Sequence, residues 1–142
     1  MGMSREAMDA AVAEHFMFEA NDDLDGVMGS LADEIEHEIV PSPVGVLHDP
    51  AKVRDYYAAL FQSVRGEGVT PIRRYYGEDF VVDETMWHGT MTDGAPFLCA
   101  GKSGKVDFRL LHIFEFREGR ITREQAWCDL AAIQRQLGAL PA

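Results

Sequence analysis

The chain has 142 residues, 46% of them hydrophobic, and a formal net charge of −11. That size suits one domain, expected over residues 1–142, with a core of its own. The acid excess argues against a nucleic-acid partner, whose phosphates need clustered Lys and Arg; no apolar run is long enough to span a bilayer, and Cys99 and Cys128 make neither a disulfide framework nor a zinc motif, so the expected location is cytoplasmic, with no membrane partner.

Ser4 to Ala20 reads as a helix, with Met8, Ala11, Val12, His15 and Glu19 on one stripe. Asn21-Asp22-Asp23 stops it and caps a short second helix, Leu24 to Ala32. Ile35 to Val40 alternates like a strand. Ile35, His37 and Ile39 share one face, Glu36 and Glu38 the other, and Pro41-Ser42-Pro43 ends it. Asp49-Pro50 starts a helix: a capping carboxylate, then proline at the first helical position. Val53, Tyr56, Tyr57, Leu60, Phe61 and Val64 follow at helical spacing, and Gly66 and Gly68 are expected to end the helix. Pro71 to Tyr76 and Asp79 to Gly89 read as strands, the second with Phe80, Val82, Glu84, Met86 and His88 on one face. Thr92 to Gly104 is loop-rich, with Phe97-Leu98-Cys99 as a candidate short strand.

Val106 to Gly138 organises the rest. VDFRLLHIFEF reads as a strand, REG as a turn, RITREQAWCD as a second strand and LAAIQRQLG as a helix. A two-residue Glu118-Gly119 loop would put Glu118 at positive φ, which a Cβ resists. A three-residue loop, Arg117-Glu118-Gly119, needs positive φ only at Gly119. The expected register therefore sets Phe116 against Arg120, His112 against Glu124, Leu110 against Ala126 and Phe108 against Cys128. One face then carries Phe108, Leu110, His112, Phe114, Phe116, Thr122, Glu124, Ala126 and Cys128. The other carries Arg109, Leu111, Ile113, Glu115, Ile121, Arg123, Gln125 and Trp127.

Helices first and strands later indicate an α+β fold, with a curved antiparallel sheet packed around the Asp49 to Val64 helix. Such a sheet can leave a pocket at its mouth. The pieces NDDLDGVMGSLADE, HDPAKVRDYYAAL, WHGT and HIFEFREGRI followed by AWCDLAAIQRQLG make the chain resemble the nuclear-transport-factor-two-like superfamily. That group includes ketosteroid isomerases, SnoaL-like polyketide cyclases and limonene-epoxide hydrolases. The resemblance covers nearly the whole chain. It implies a cone-shaped, cystatin-like α+β barrel with an internal apolar pocket, usually in a homodimer.

The resemblance also places residues. The oxyanion-hole tyrosine of the isomerases falls on His15, ahead of Asp22-Asp23, and their oxyanion-hole acid falls on His112, ahead of Phe116. A supporting tyrosine matches Tyr57. The general-base aspartate falls in IVPSPVG, where Ile39 or Ser42 stands and no carboxylate does. The arginine and aspartate of the epoxide hydrolases fall on Leu110 and Ala126, so neither reaction transfers as written.

The expected catalytic set is His112, Glu124 and His15. A carboxylate beside an imidazole fixes its tautomer and raises its pKa, which suits acid/base work; the bland alternative is a buried polar pair that only satisfies itself. His15 lines the pocket or is a satisfied core histidine. The expected substrate-binding residues are His37, Tyr57, Glu84, Phe108, Leu110, Phe114, Ala126 and Cys128. Glu84 either enters the pocket or lies on a solvated face. His15, His37 and His112 come from distant segments without short-range ligand spacing, so no metal is expected. Asp129 fits an N-cap better than a catalytic carboxylate, and Cys128 a small buried apolar group better than a nucleophile. His48 is expected at the surface and His88 near a loop. Trp127, Leu111 and Ile113, rimmed by Arg109, Arg123 and Gln125, have the composition of an interface, and the expectation is a homodimer through that outer face.

The expected function is that of a small-molecule isomerase, cyclase or hydrolase. It would act without a cofactor on an apolar carbonyl-type substrate, with Glu124 and His112 moving a proton and His15, supported by Tyr57, stabilising negative charge. The alternative is a non-catalytic dimer that binds a small apolar ligand.

Overall fold

A computed structural model describes residues 2–141. Ser4 caps the first helix, α1 (Arg5–Ala20), its hydroxyl accepting from the Ala7 amide at 3.1 Å. Asp23 caps α2 (Leu24–Ser30) in the same way. The chain then enters β1 (Leu31–Val40), earlier than the alternation indicated. A register irregularity between Leu31 and Glu36 breaks the alternation there, so only the part beyond it reads as a strand. Asp49 caps α3 (Pro50–Ser63), accepting from the Ala51 amide at 2.9 Å.

The strands β2 (Val64–Tyr76), β3 (Phe80–Met91), β4 (Gly104–Arg117) and β5 (Arg120–Cys128) follow, and α4 (Leu130–Gln136) closes the chain. Asp129 caps α4, accepting from the Ala132 amide at 3.1 Å, as expected. The fold is α+β. Five strands run in the order β1-β5-β4-β3-β2, antiparallel except for the β1–β5 edge pair, in a curved, unclosed sheet.

Two local expectations fail. Gly66 and Gly68 do not end α3; they lie inside β2, because Val64 already pairs with Met91 on β3. Strand pairing over-rides glycine's reputation as a helix stop. Phe97-Leu98-Cys99 is no strand. Ala95–Phe97 is a 3₁₀ turn, Leu98 is left-handed with φ 61°, and Cys99 only bridges Gly94.

Two apolar clusters hold the sheet to its helices. Met8, Val12, Val53 and Tyr57 of α1 and α3 pack on Ile35, Phe114 and Ile121. Ile133 of α4 and Leu137, which caps its end, pack with Met91, Phe97, Val106 and Phe108. On β3 the sharing of faces was legible but its direction was not. Val81, Asp83 and Thr85 are buried, opposite Phe114, His112 and Leu110, because directly paired residues share a face.

The hairpin departs from its expected register in an instructive way. Arg117 pairs with Arg120, so the loop has two residues, Glu118 and Gly119, at φ 52° and 80°. This is the positive-φ pair of a type I′ turn. A register shift then falls at Thr122, between the Glu115–Arg123 and Phe116–Ile121 pairs. The shorter loop changes the parity of the pairing and the bulge changes it back. Beyond the bulge the faces are those expected, but each residue has moved two places: His112 faces Ala126, Leu110 faces Cys128 and Phe114 faces Glu124. Between turn and bulge the faces are exchanged, so Ile121 is buried in the core and Thr122 is not.

Glu118 is strained by this turn, and Asn-Gly is the preferred pair for it. Glu118→Asn should stabilise the domain by roughly 1 kcal/mol in urea unfolding. No gain would mean that Glu118 relaxes out of the left-handed region in solution.

Candidate active site

Glu124 of β5 points into the fold with 2% of its side chain exposed, and side chains from four other elements surround it. From α1, His15 places Nε2 2.9 Å from Glu124 Oε2. From α3, the Tyr57 hydroxyl donates to Oε1 at 2.5 Å. From β1, His37 Nε2 stands 3.6 Å from Oε1, and from the neighbouring β4, His112 Nε2 stands 3.8 Å from Oε2. The last two separations are too long for hydrogen bonds.

The proton positions follow from Ser30. Its hydroxyl donates to the Val27 carbonyl at 2.6 Å, so its oxygen accepts from His15 Nδ1–H at 2.7 Å. Nδ1 therefore carries one proton, and the Nε2–Glu124 contact holds another. Burial opposes charge on His15, but the Glu124 and Glu19 carboxylates outweigh it and raise the ring to about 9. Burial also opposes charge on Glu124; His15 above all holds it well below the usual carboxylate range. The contact is an imidazolium–carboxylate pair. His112 differs from its expected state. Burial, with too little compensation from Glu124, lowers it to about 4, and its Nδ1 has no partner among the described residues. It is a neutral ring, stacked on Phe114 at 5.2 Å and met edge-on by Phe16 at 5.0 Å. Burial lowers His37 as well.

A cavity of about 470 Å³ opens beside this cluster. Its wall includes His112, Glu124, Tyr57, Phe108, Leu110, Ala126 and Cys128 of the expected residues. His15, His37 and Phe114 are buried behind that wall. His15 and Tyr57 both spend their donors on Glu124, so neither is free for an oxyanion. Glu84 lies on the opposite face of β3, 3.3 Å from Arg109, because Thr85 takes the inward position; it does not bind in the pocket. Burial keeps the Cys128 thiol protonated, raised to about 11.

The sequence reading overlooked Glu19, Tyr56, Phe16, Thr85 and Trp87, all in the wall. The signal for Glu19 was present: it lies one turn beyond His15 on the same stripe. Its carboxyl is 3.5 Å from His15 Nε2 and 23% exposed, toward the cavity it lines. Burial, opposed by His15 and reinforced by Glu124, raises it to about 8. The Tyr56 phenol is also raised by burial, so it stays a neutral donor. His15, Glu19 and Glu124 offer ligand atoms within 4.8 Å of one another, a donor set a divalent ion could use once His15 Nε2 lost its proton.

Residues 6–124 match the model of the SnoaL-like domain. The chain belongs to this family. Solved structures agree on the fold. A proposed SnoaL-like polyketide cyclase from Jannaschia sp. CCS1 superposes with a TM-score of 0.81 at 17% identity, covering 99% of each chain. A proposed isomerase from Bacillus subtilis gives 0.79 at 15% identity, covering 95% of each. An LEH-like epoxide hydrolase from M. tuberculosis gives 0.67 at 21% identity, covering 90% of this chain and 86% of its own. No curated protein matches the sequence. No helix of the SnoaL-like domain described here is long and apolar enough to cross a membrane.

The raised His15 pKa has a signed consequence. The folded state keeps a proton that the unfolded state releases between pH 6.5 and about 9. The stability contributed by His15 is therefore complete below pH 6.5 and lost as pH rises through 9. Wild-type protein should lose urea resistance across that window, and His15→Gln should show a shallower loss. Glu124→Gln should lower the His15 midpoint in an NMR titration. A wild-type ring titrating near its ordinary value would show that the pair is neutral.

Proposed function

We propose that this SnoaL-like protein is a cofactor-independent isomerase, cyclase or hydrolase that moves a proton on an apolar, carbonyl-type small molecule held in the cavity. The observation that carries the reading is His112: a neutral ring in an apolar wall, without a hydrogen bond, beside a carboxylate that would stabilise its protonated form. His112 takes a proton from the carbon next to the carbonyl. Glu124, held by His15 and Tyr57, is too weak a base for this step and acts by stabilising the imidazolium that results. The Tyr56 hydroxyl, which has no hydrogen-bond partner among the described residues, donates to the developing enolate oxygen. His112 then returns the proton to another carbon, or the enolate carbon adds to a second carbonyl of the substrate to close a ring and the imidazolium gives its proton to the resulting alkoxide. The free thiols of Cys99 and Cys128 suit a reducing, cytoplasmic setting.

The test follows proton abstraction without needing the product. Apolar ketones are incubated with the protein in D₂O, and α-deuterium incorporation is read by NMR. His112→Gln should slow exchange by about 10²–10⁴-fold. The wild-type rate should hold from pH 7 down toward the His112 pKa of about 4, since the base must be neutral. Exchange no faster than without protein would favour the non-catalytic ligand-binding reading.

We also propose a homodimer through the outer face of β4 and β5. Trp127 is 46% exposed there, beside Leu111 and Gln125, with its indole donating to Gln125 at 2.8 Å. Trp127→Glu should give a monomer by light scattering, because burying an unpaired charge is costly. An unchanged mass would place the interface elsewhere.

A further inference from the structure

The polar end of the cavity has one carboxylate more than it has cations. Glu124 is matched by the His15 imidazolium at 2.9 Å. Glu19, one helical turn away, shares that same imidazolium at 3.5 Å and has no cation of its own. The other rings nearby, His37 and His112, are kept neutral by burial. Asp22, Glu67 and Arg65 also line the cavity; Glu67 is paired with Lys105 at 3.5 Å and the Arg65 guanidinium is turned onto the backbone carbonyls of Phe61 and Val64 at 2.8 and 2.9 Å, so both cations are engaged away from Glu19. The whole chain carries −11. The wall of the same cavity is aromatic, with Phe16, Tyr56, Phe61 and Trp87 lining it.

A surplus carboxylate in an aromatic cavity is neutralised either by a proton or by a cation that the aromatic faces also favour. We propose that the cavity selects an apolar amine, bound as its ammonium with the nitrogen at Glu19 and the hydrocarbon against the aromatic wall. This rests on reading the cavity as a small-molecule site and narrows the substrate class to carbonyl compounds that also bear a basic nitrogen. The net charge of −11 favours the approach of such a cation. The groups that face Glu19 are His15 on α1, Glu124 on β5 and the neutral phenols of Tyr56 and Tyr57 on α3.

The test compares three probes of one shape by calorimetry: 2-naphthylmethylammonium, 2-naphthalenemethanol and 2-naphthoate. The ammonium should bind at least ten-fold more tightly than the alcohol, and the naphthoate least. Glu19→Gln should abolish the preference while still binding the alcohol, which also reports that the variant is folded. If that variant does not fold, the ammonium-to-alcohol ratio in the wild type decides alone. An alcohol that binds as tightly as the ammonium overturns this inference and leaves the proposed function standing. Failure of all three to bind overturns it together with the small-molecule reading, which ketone exchange tests separately.

Discussion

Burying the carboxylate of Glu124 is the constraint on which the centre of this structure depends. An ionised group taken out of water is stable only if it is paired and hydrogen-bonded. Here the compensation comes from two other elements, through His15 on α1 and Tyr57 on α3. Ser30, at the end of α2, holds the far nitrogen of His15 and so orients the ring. One charge therefore ties the helical layer to the sheet at a defined point. A buried pair of this kind adds little net stability over a well-packed apolar core, but losing one partner is expensive, commonly about 3–5 kcal/mol. The arrangement specifies geometry more than it adds stability.

The same pairing decides which groups are left for chemistry. The family resemblance implies His15 as an oxyanion donor with Tyr57 supporting it, yet both are committed to Glu124. That leaves the wall groups which lack such partners. His112 sits in an aromatic setting that keeps it neutral, and Tyr56 keeps its phenolic proton. The polar cluster is thus divided into a charged scaffold behind the wall and neutral proton-handling groups in it. Solvent exclusion by the apolar lining strengthens the action of both on anything bound there.

Membership of the SnoaL-like family and the likeness to proposed cyclases, proposed isomerases and an epoxide hydrolase establish the fold. The chemistry has to be argued from this chain's own side chains. Where the sequence resemblance implies the isomerases' base this chain has Ile39 or Ser42, and where it implies the epoxide hydrolases' charged pair it has Leu110 and Ala126. In this chain the titratable groups are instead gathered around Glu124, on the β5 side of the cavity, and Glu19 joins them from the end of α1.

The sequence alone determined the α+β class, the caps at Ser4, Asp23, Asp49 and Asp129, and the inward stripes of α1 and α3. These are local properties: a cap is set by a few neighbouring residues and a stripe by the 3.6-residue period. The face shared by His112, Glu124, Ala126 and Cys128 was legible too, but through two errors that cancelled. The loop is one residue shorter than expected, and a bulge at Thr122 restores the parity. Strand pairing over the whole of β4 and β5 outweighs the strain at Glu118, which local reasoning could weigh but not overrule. The inward face of β3, the continuation of Val64 into β2 and the protonation of each histidine were decided only by the tertiary structure. Each depends on what lies opposite in space. Thr85 faces inward because Leu110 does, and His15 is charged and His112 neutral because only one of them reaches hydrogen-bonding distance of Glu124.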